Sequence, residues 1–596
     1  MSATARQYRL RFAHLDREIA TREGETIYQS ARRGGVRIIG ACGGRGTCGT
    51  CMVRVTEGSV DRGRGRKWLR ACQLQAHSDC VIEVAPRSTA PIVRADIADR
   101  SAVPELEHAP SVRAYDVAVP EATLAAPHAD ADRLLRALAP GAVETVDLSA
   151  ARQLPGLLRR ERGALRARVR GRELIGVAPA GSRTLGLAVD LGTTNLAGFL
   201  VDLERGALLA SLGLENPQSG WGADVISRIN HAAHSAETAA ELRTAAVDGI
   251  NALAHDLTRG LHAKPEDIVD IVISGNPAMQ HLLLGLPVRQ LGRAPFVAAV
   301  REAMGVKARD LELAACAGAY VHLAPGIGGF VGGDHVAALL ATEARWSETA
   351  TSLVMDIGTN TEVSLVHRGE LHSASCPSGP ALEGGHISCG MRAAEGAIER
   401  VAARGRELTV QVIGGGEAVG VCGSGAIDAL AALRQAGAIN DRGRLLAHHP
   451  LVRDDAGRRA ARIAPGVELT QDDVRAVQLA KAAIRACTDL LLRHAGIEAL
   501  AVERFVIAGA FGAYLDVRSG VGIGLFPALP LERFEQVGNA AGAGACRMLA
   551  STRARAHASE LAARCRSLEL SALPDFQKTF MSRIGFDPID AAGNPS

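Results

Sequence analysis

From Leu185 onward, short apolar runs that stop at glycine turns alternate with long alanine-rich stretches of helical spacing. Leu185–Val189, Ser352–Met355 and Arg504–Ala508 read as buried strands, and Ala236–Arg259 and Thr470–His494 as helices. The texture predicts an α/β unit over residues 184–566, too long for one doubly wound sheet and therefore two-lobed. The N-terminal part has a different period. Gln7–Phe12, Cys51–Thr56 and Cys80–Val84 alternate apolar and polar residues, as half-buried strands do, and Ile27–Ala31 reads as a short helix before a glycine-rich loop. Residues 1–88 thus predict a small β-rich domain with one helix and a cysteine loop.

Between these parts, residues 89–111 carry Pro91, Pro104 and Pro110 among mixed polar residues and read as a linker. Residues 112–180 predict a second small unit without a motif that assigns it a role. Its arginine-rich stretch from Arg152 to Arg172 reads as a solvated face or exposed helix. Residues 567–596 read as a C-terminal extension ending in a polar tail.

Composition narrows the function classes. The chain has 596 residues, 47% of them hydrophobic and 22% charged, which is ordinary for a globular protein. Its formal charge of +3 gives no electrostatic reason to expect nucleic acid. Aromatic residues are only 3%, too few for base-stacking platforms. No apolar run is long enough to span a bilayer, and Met1–Arg11 lacks the apolar core of a signal peptide, so a cytoplasmic protein is expected. In a reducing compartment the twelve cysteines are not expected to pair. Five of them lie between Cys42 and Cys80, and such clustering points to a metal.

Cys42, Cys48, Cys51 and Cys72 have the spacing C-x5-C-x2-C-x20-C. Structural zinc sites prefer paired C-x2-C knuckles on both sides. An iron–sulfur cluster explains Gly43, Gly44, Gly46 and Gly49 better, because backbone N–H groups must approach the cluster sulfurs closely. The pattern is one residue longer than the plant-type C-x4-C-x2-C…C of [2Fe–2S] proteins. Cys80 lies on an alternating strand and reads as a core residue. Arg62–Trp68, just before Cys72, reads as a solvated loop or as a docking surface near the cluster.

Two apolar strands end alike. Asp190-Leu-Gly192-Thr193-Thr194 is repeated in design by Asp356-Ile-Gly358-Thr359-Asn360. An Asp at a strand end can hold Mg²⁺ directly or through water. The Gly permits a tight turn whose N–H groups and hydroxyls face a phosphate. Two copies imply two related lobes clamping one nucleotide. Gly509 and Gly512 close a third strand and would pack on adenine or ribose. Asp334 is expected as the N-cap of an alanine-rich helix, with a role in orienting water or metal as the alternative. Cys422-Gly423-Ser424-Gly425 opens another helix, and its small residues suit a phosphate.

The two loops resemble those of the acetate and sugar kinase, Hsp70 and actin (ASKHA) superfamily. Longer motifs narrow the resemblance: Asn216-Pro-Gln, Gly222-Ala-Asp-Val-Ile-Ser-Arg-Ile229, Gly275-Asn-Pro-Ala-Met279, Gly379-Pro-Ala-Leu-Glu-Gly384, Gly390-Met-Arg-Ala and Gly538-Asn-Ala-Ala-Gly542. With the cysteine loop, they make the chain similar to the reductive activators of corrinoid proteins over nearly its whole length. The resemblance implies an N-terminal β-grasp ferredoxin domain, a small middle domain and a C-terminal two-lobed ASKHA ATPase. It implies ATP-driven transfer of one electron from a [2Fe–2S] cluster to inactive Co(II) corrinoid, restoring Co(I) for methyl transfer. Cys42, Cys48, Cys51 and Cys72 would hold the cluster, Asp190 and Asp356 the Mg²⁺, and Gly192, Thr193, Thr194, Gly358, Thr359 and Asn360 the phosphates of ATP. A homodimer, an upstream electron donor and a corrinoid protein as partner are implied as well. Two other readings stand beside it: an ATP-dependent donor to another enzyme, such as a radical dehydratase, and a non-catalytic redox and nucleotide sensor.

Overall fold

Leu185–Leu191 and Thr351–Ile357 each lie at the middle of a six-stranded sheet, because each is apolar on both faces and must be covered on both. The computed structural model describes residues 7–12, 17–22, 24–33, 36, 38, 51–61, 68–85, 108–347, 349–509 and 511–587. In the first lobe, Leu185–Leu191 leads into an antiparallel meander through Asn195–Asp202 and Ala207–Glu215. On its other side it pairs in parallel with Ile268–Gly275, followed by Tyr320–Leu323 and an antiparallel edge strand, Met304–Lys307. The second lobe repeats the plan. Thr351–Ile357 continues through Thr361–His367 and Glu370–Cys376, and pairs in parallel with Arg504–Ala508 and then Phe534–Gly538. The duplicated motif is thus the first strand of a duplicated sheet, and both loops emerge at equivalent strand ends.

Two helices bridge the lobes. Gly333–Trp346 follows the first lobe's strands and packs both on Ile268–Gly275 of that lobe and on the central strands of the second. Ala540–Ala550 follows the second lobe's strands and packs on the first lobe's sheet. The two helices touch where they cross. A Cβ on Gly544 would lie 2.0 Å from the carbonyl oxygen of Ala337. Gly544→Ala is therefore expected to lose about 1–3 kcal/mol of stability by forcing the helices apart, read as a lowered thermal midpoint. An unchanged midpoint would show that the helices can separate freely.

Two small sheets extend the second lobe. Ala397–Arg404, Glu407–Val412 and Gly420–Val421 form one, and Val452–Asp455, Arg458–Ala464 and Val467–Thr470 the other. Residues 565–587 are part of this lobe. Cys565–Ser567 pairs with Glu370–Cys376, the helix Phe576–Ser582 packs on Gln471–His494, and Phe586 is buried in the core.

Residues 112–179 form a four-stranded sheet with two helices, Asp130–Ala137 and Leu148–Arg160. Here the arginine reading needs correction. Arg152, Arg159 and Arg160 lie on an exposed helix face, but Arg166 and Arg168 stand on the strand Ala164–Arg170 with 9% and 3% exposure. Arg166 pairs with Asp116 and Glu204, and Arg168 with Asp267, so these cations bolt the unit to the first lobe. Lys307 and Arg309 complete the joint by meeting the buried Asp147.

The N-terminal strands Tyr8–Phe12, Arg17–Thr21, Met52–Glu57, Leu69–Arg70 and Cys80–Val84 form one mixed sheet beside the helix Ile27–Arg33. Its first and last long strands run parallel at the centre, the arrangement of a β-grasp domain. Of the linker, only residues 108–111 are described. They lie on the first lobe, where Ala109 exchanges backbone bonds with Ala550 and Thr552 and Ser111 donates to the buried Asp270. Among the described residues, no helix is long and apolar enough to cross a membrane.

Candidate functional site

Between the lobes lies a cleft of about 1330 Å³. Gly192, Thr193 and Thr194 line it from the first lobe, and Gly358, Thr359 and Asn360 from the second. The two loops touch, with the Thr194 and Thr359 hydroxyls 2.5 Å apart. Asparagines from the longer motifs brace the first loop. Asn216 Nδ2 donates to the Gly192 carbonyl at 2.8 Å, Asn276 Nδ2 to Thr193 Oγ1 at 3.0 Å, and Asn539 Nδ2 to Asp190 Oδ2 at 3.0 Å. Asn276 and Asn539 also cap the helices that follow them. In the second loop, Ser378 Oγ donates to the Gly358 carbonyl and Thr359 Oγ1 donates to Glu383.

The cleft floor is acidic. Asp190, Asp334, Asp356 and Glu362 all line it. Burial raises the Asp190 carboxyl to about 6, against the hydrogen bond from Asn539. Burial raises Asp356 to about 8, with the charges of Asp190 and Asp334 adding to it. Asp334 is pushed up by burial and then by Asp190, and Glu362 by burial and then by Asp334 and Asp356. Four carboxyls that repel one another in a low-dielectric floor are a strong seat for a hydrated cation.

Asp334 is not the helix cap. Gly332 occupies that position, and Asp334 sits in the first turn, where its carboxylate accepts from the N–H of His335 at 2.8 Å. Gly423 and Ser424 line the cleft at the start of the helix Gly423–Gln435, capped by Cys422. Gly509 also lines it, at φ +95°. Its missing Cβ leaves room for Asp356, whose Oδ1 would lie 2.8 Å from such an atom. Gly512 does not line the cleft; Phe511 and Tyr514 from the same turn do. Sequence reasoning passed over Glu362, on an ordinary strand, and Arg392, although Arg392 stands inside a quoted motif.

In the N-terminal domain, Cys51 and Cys72 are buried with their sulfurs 3.3 Å apart, well beyond disulfide length. Cys51 precedes the strand Met52–Glu57, and its carbonyl accepts from Ala71 beside Cys72. Cys42 and Cys48 lie outside the described residues, as does 62–67 of the basic run. Cys80 is buried on its strand and donates to the Ser78 carbonyl at 3.3 Å. Two converging buried thiols fit half of a four-thiolate cluster site.

These features define a two-lobed ASKHA-type nucleotide-binding protein that carries its own [2Fe–2S] domain. Residues 13–77 match the 2Fe-2S iron-sulfur cluster binding domain, and residues 350–593 the C-terminal ASKHA domain of RACo. The RACo linker region matches residues 102–184 and the RACo middle region residues 185–345. The chain is 32% identical to the corrinoid activation enzyme RamQ of Eubacterium limosum, over 97% of this chain and 99% of that one. It is 28% identical to the [Co(II) methylated amine-specific corrinoid protein] reductase of Methanosarcina barkeri, over 59% of this chain and 68% of that one. A solved reductive activator for corrinoid,iron-sulfur protein superposes with a TM-score of 0.73 at 30% identity, covering 97% of this chain and 98% of that one. The chain belongs to the family of reductive activators of corrinoid proteins.

Proposed function

We propose that this protein restores oxidised corrinoid proteins to their active state, delivering one electron to Co(II) to give Co(I) at the expense of ATP. The observation that carries this reading is the joining, in one chain, of a cysteine-lined ferredoxin domain to a duplicated phosphate clamp, along the whole length of a corrinoid activation enzyme.

Cys42, Cys48, Cys51 and Cys72 would hold the [2Fe–2S] cluster. When bound, such a cluster supplies single electrons at about −400 mV. In the cleft, the threonine hydroxyls and turn N–H groups of both loops bind the phosphates of ATP, and the helix start at Gly423 and Ser424 gives a further phosphate contact. Asp190 and Asp356 would hold Mg²⁺. Among the described residues, no three His, Cys, Asp or Glu side chains converge closely enough to bind a bare ion. Mg²⁺ keeps several waters, so an outer-sphere seat on these carboxylates suits it. Asp334 orients the attacking water, and Gly509 lets the nucleoside end approach the second lobe. Because the loops sit on separate lobes joined by crossed helices, nucleotide binding shifts the lobes relative to one another and can so alter how the ferredoxin domain meets its partner. A homodimer and an upstream electron donor complete the proposal and rest on the family resemblance.

The test is anaerobic and optical. The reduced full-length protein is mixed with a Co(II) corrinoid protein from the same organism, and the Co(I) band is followed with and without Mg-ATP. Co(I) forming only with Mg-ATP is the expected result. No Co(I) with a fully reduced cluster, against every corrinoid protein of that organism, would refute the reading.

A further inference from the structure

The cleft has a charge problem that the acidic floor and a cation do not solve. A magnesium-bound nucleoside triphosphate still carries net negative charge, and more develops on the leaving phosphate as the terminal bond breaks. Yet the cleft is lined by Glu383, Glu395, Glu399 and Glu417 besides the four floor carboxyls, and by Glu83, which Arg54 pairs with. Among its described lining residues, Arg392 is the sole cationic side chain.

Arg392 belongs to the second lobe but reaches across to the first. Its Nη1 donates to Asn195 Oδ1 at 3.2 Å and its Nη2 to Glu215 Oε1 at 3.0 Å. Asn195 directly follows the first phosphate loop, so the guanidinium stands at the end of Gly192-Thr193-Thr194. Its side chain keeps 21% exposure, enough to move. The direct contact of Thr194 with Thr359 leaves no space between the loops at that point. A triphosphate cradled by both must part these hydroxyls, and the same parting of the lobes pulls Arg392 from Glu215.

We propose that Arg392 is a catalytic residue of ATP hydrolysis, which exchanges its contacts with Glu215 and Asn195 for the phosphates when the nucleotide enters the cleft. The inference rests on the ATPase reading above. In the reaction, water attacks the γ-phosphorus and the bond from that phosphorus to the β–γ bridging oxygen breaks. ADP and inorganic phosphate leave, with the protons of water passing to phosphate and solvent. Arg392 stays protonated throughout and neither gives nor takes a proton. Its planar fork donates to phosphate oxygens whose charge grows in the transition state.

A plain latch between the lobes would use the same contacts, and the test separates the two roles. ATP turnover and Mg-ATP affinity are measured in the full-length protein, in Arg392→Gln, in Arg392→Lys and in Glu215→Gln. A transferred arginine predicts that Arg392→Gln loses about a hundredfold or more in kcat, with a much smaller change in affinity. Arg392→Lys should recover part of the loss, and added guanidinium ion should raise kcat of Arg392→Gln alone. Glu215→Gln removes the competing anion and should raise kcat/KM. If Arg392→Gln and Glu215→Gln are impaired alike, Arg392 is a latch and the proposal is overturned. Unchanged kcat in Arg392→Gln overturns it too. Absence of turnover in the unaltered protein with Mg-ATP bound is a separate result, and it overturns the ATPase reading itself.

Discussion

Asp356→Asn is expected to lower Mg-dependent ATP turnover about a hundredfold or more while leaving the [2Fe–2S] spectrum unchanged. Asp356 is the penultimate residue of the second lobe's central strand and lines the cleft floor with Asp190 and Asp334. Its carboxyl is raised to about 8 by burial and by these neighbours, so a bound cation favours its ionised form. Asparagine keeps the shape, including the fit against Gly509, and removes the charge. Two readouts check this. Hydrolysis of ATP should fall to near background. The thermal midpoint should rise with Mg-ATP in the unaltered protein and rise far less in the variant, since a ligand at a hundred times its Kd contributes about 2.7 kcal/mol. Equal turnover in the two proteins would remove Asp356 from the metal site. Equal midpoint shifts with lost turnover would instead mean that Asp356 acts in the chemical step and adds nothing to binding.

The parts of this site that show in the sequence are those held by local interactions. The helices read over Ala236–Arg259 and Thr470–His494 are legible at their starts because each N-terminus is set by residues three apart, Ser235 with Thr238 and Thr470 with Asp473, and in the second Thr470 is the cap of a helix that begins at Gln471. The two phosphate loops were visible because turn chemistry is written in consecutive residues. Asp334 shows where local rules stop. It precedes a helical run, as a cap does, but Gly332 takes that position with its backbone pressed against Asn276, where a Cβ would lie 2.4 Å from Cα. Asp334 then moves into the first turn and toward the cleft. Arg166 and Arg168 fail as solvated residues for a similar reason. Glu204 and Asp267, which neutralise them, lie 38 and 99 residues away. Nothing near them in sequence announces that burial. Glu362 and Arg392 were missed because one is an acid on a strand and the other acts on the opposite lobe. The ferredoxin domain was legible in three alternating strands, one short helix and a cysteine spacing, and of its four candidate ligands the structure describes two.

Cys72→Ser is expected to abolish the cluster's visible spectrum and the EPR signal of the reduced protein, and with them all electron delivery, while ATP binding persists. A serine hydroxyl does not supply the thiolate that the iron requires. The site is also part of a small core, so loss of ligation has to be separated from loss of fold. Cys72 is 7% exposed and lies in the same cluster of buried residues as Leu10, Ile27 and Val53. Burying a hydroxyl there costs about 1–3 kcal/mol on packing and desolvation grounds alone. Cys80 supplies the control. It is 3% exposed in the same core, and its thiol donates to backbone carbonyls of Ser78 and Ser59, a role a hydroxyl can fill. Cys80→Ser should therefore keep the spectrum while placing a hydroxyl in the same core. Loss of signal in both variants would point to collapse of the domain. Its survival in Cys72→Ser would strike Cys72 from the ligand set and leave Cys51 in need of a different fourth partner.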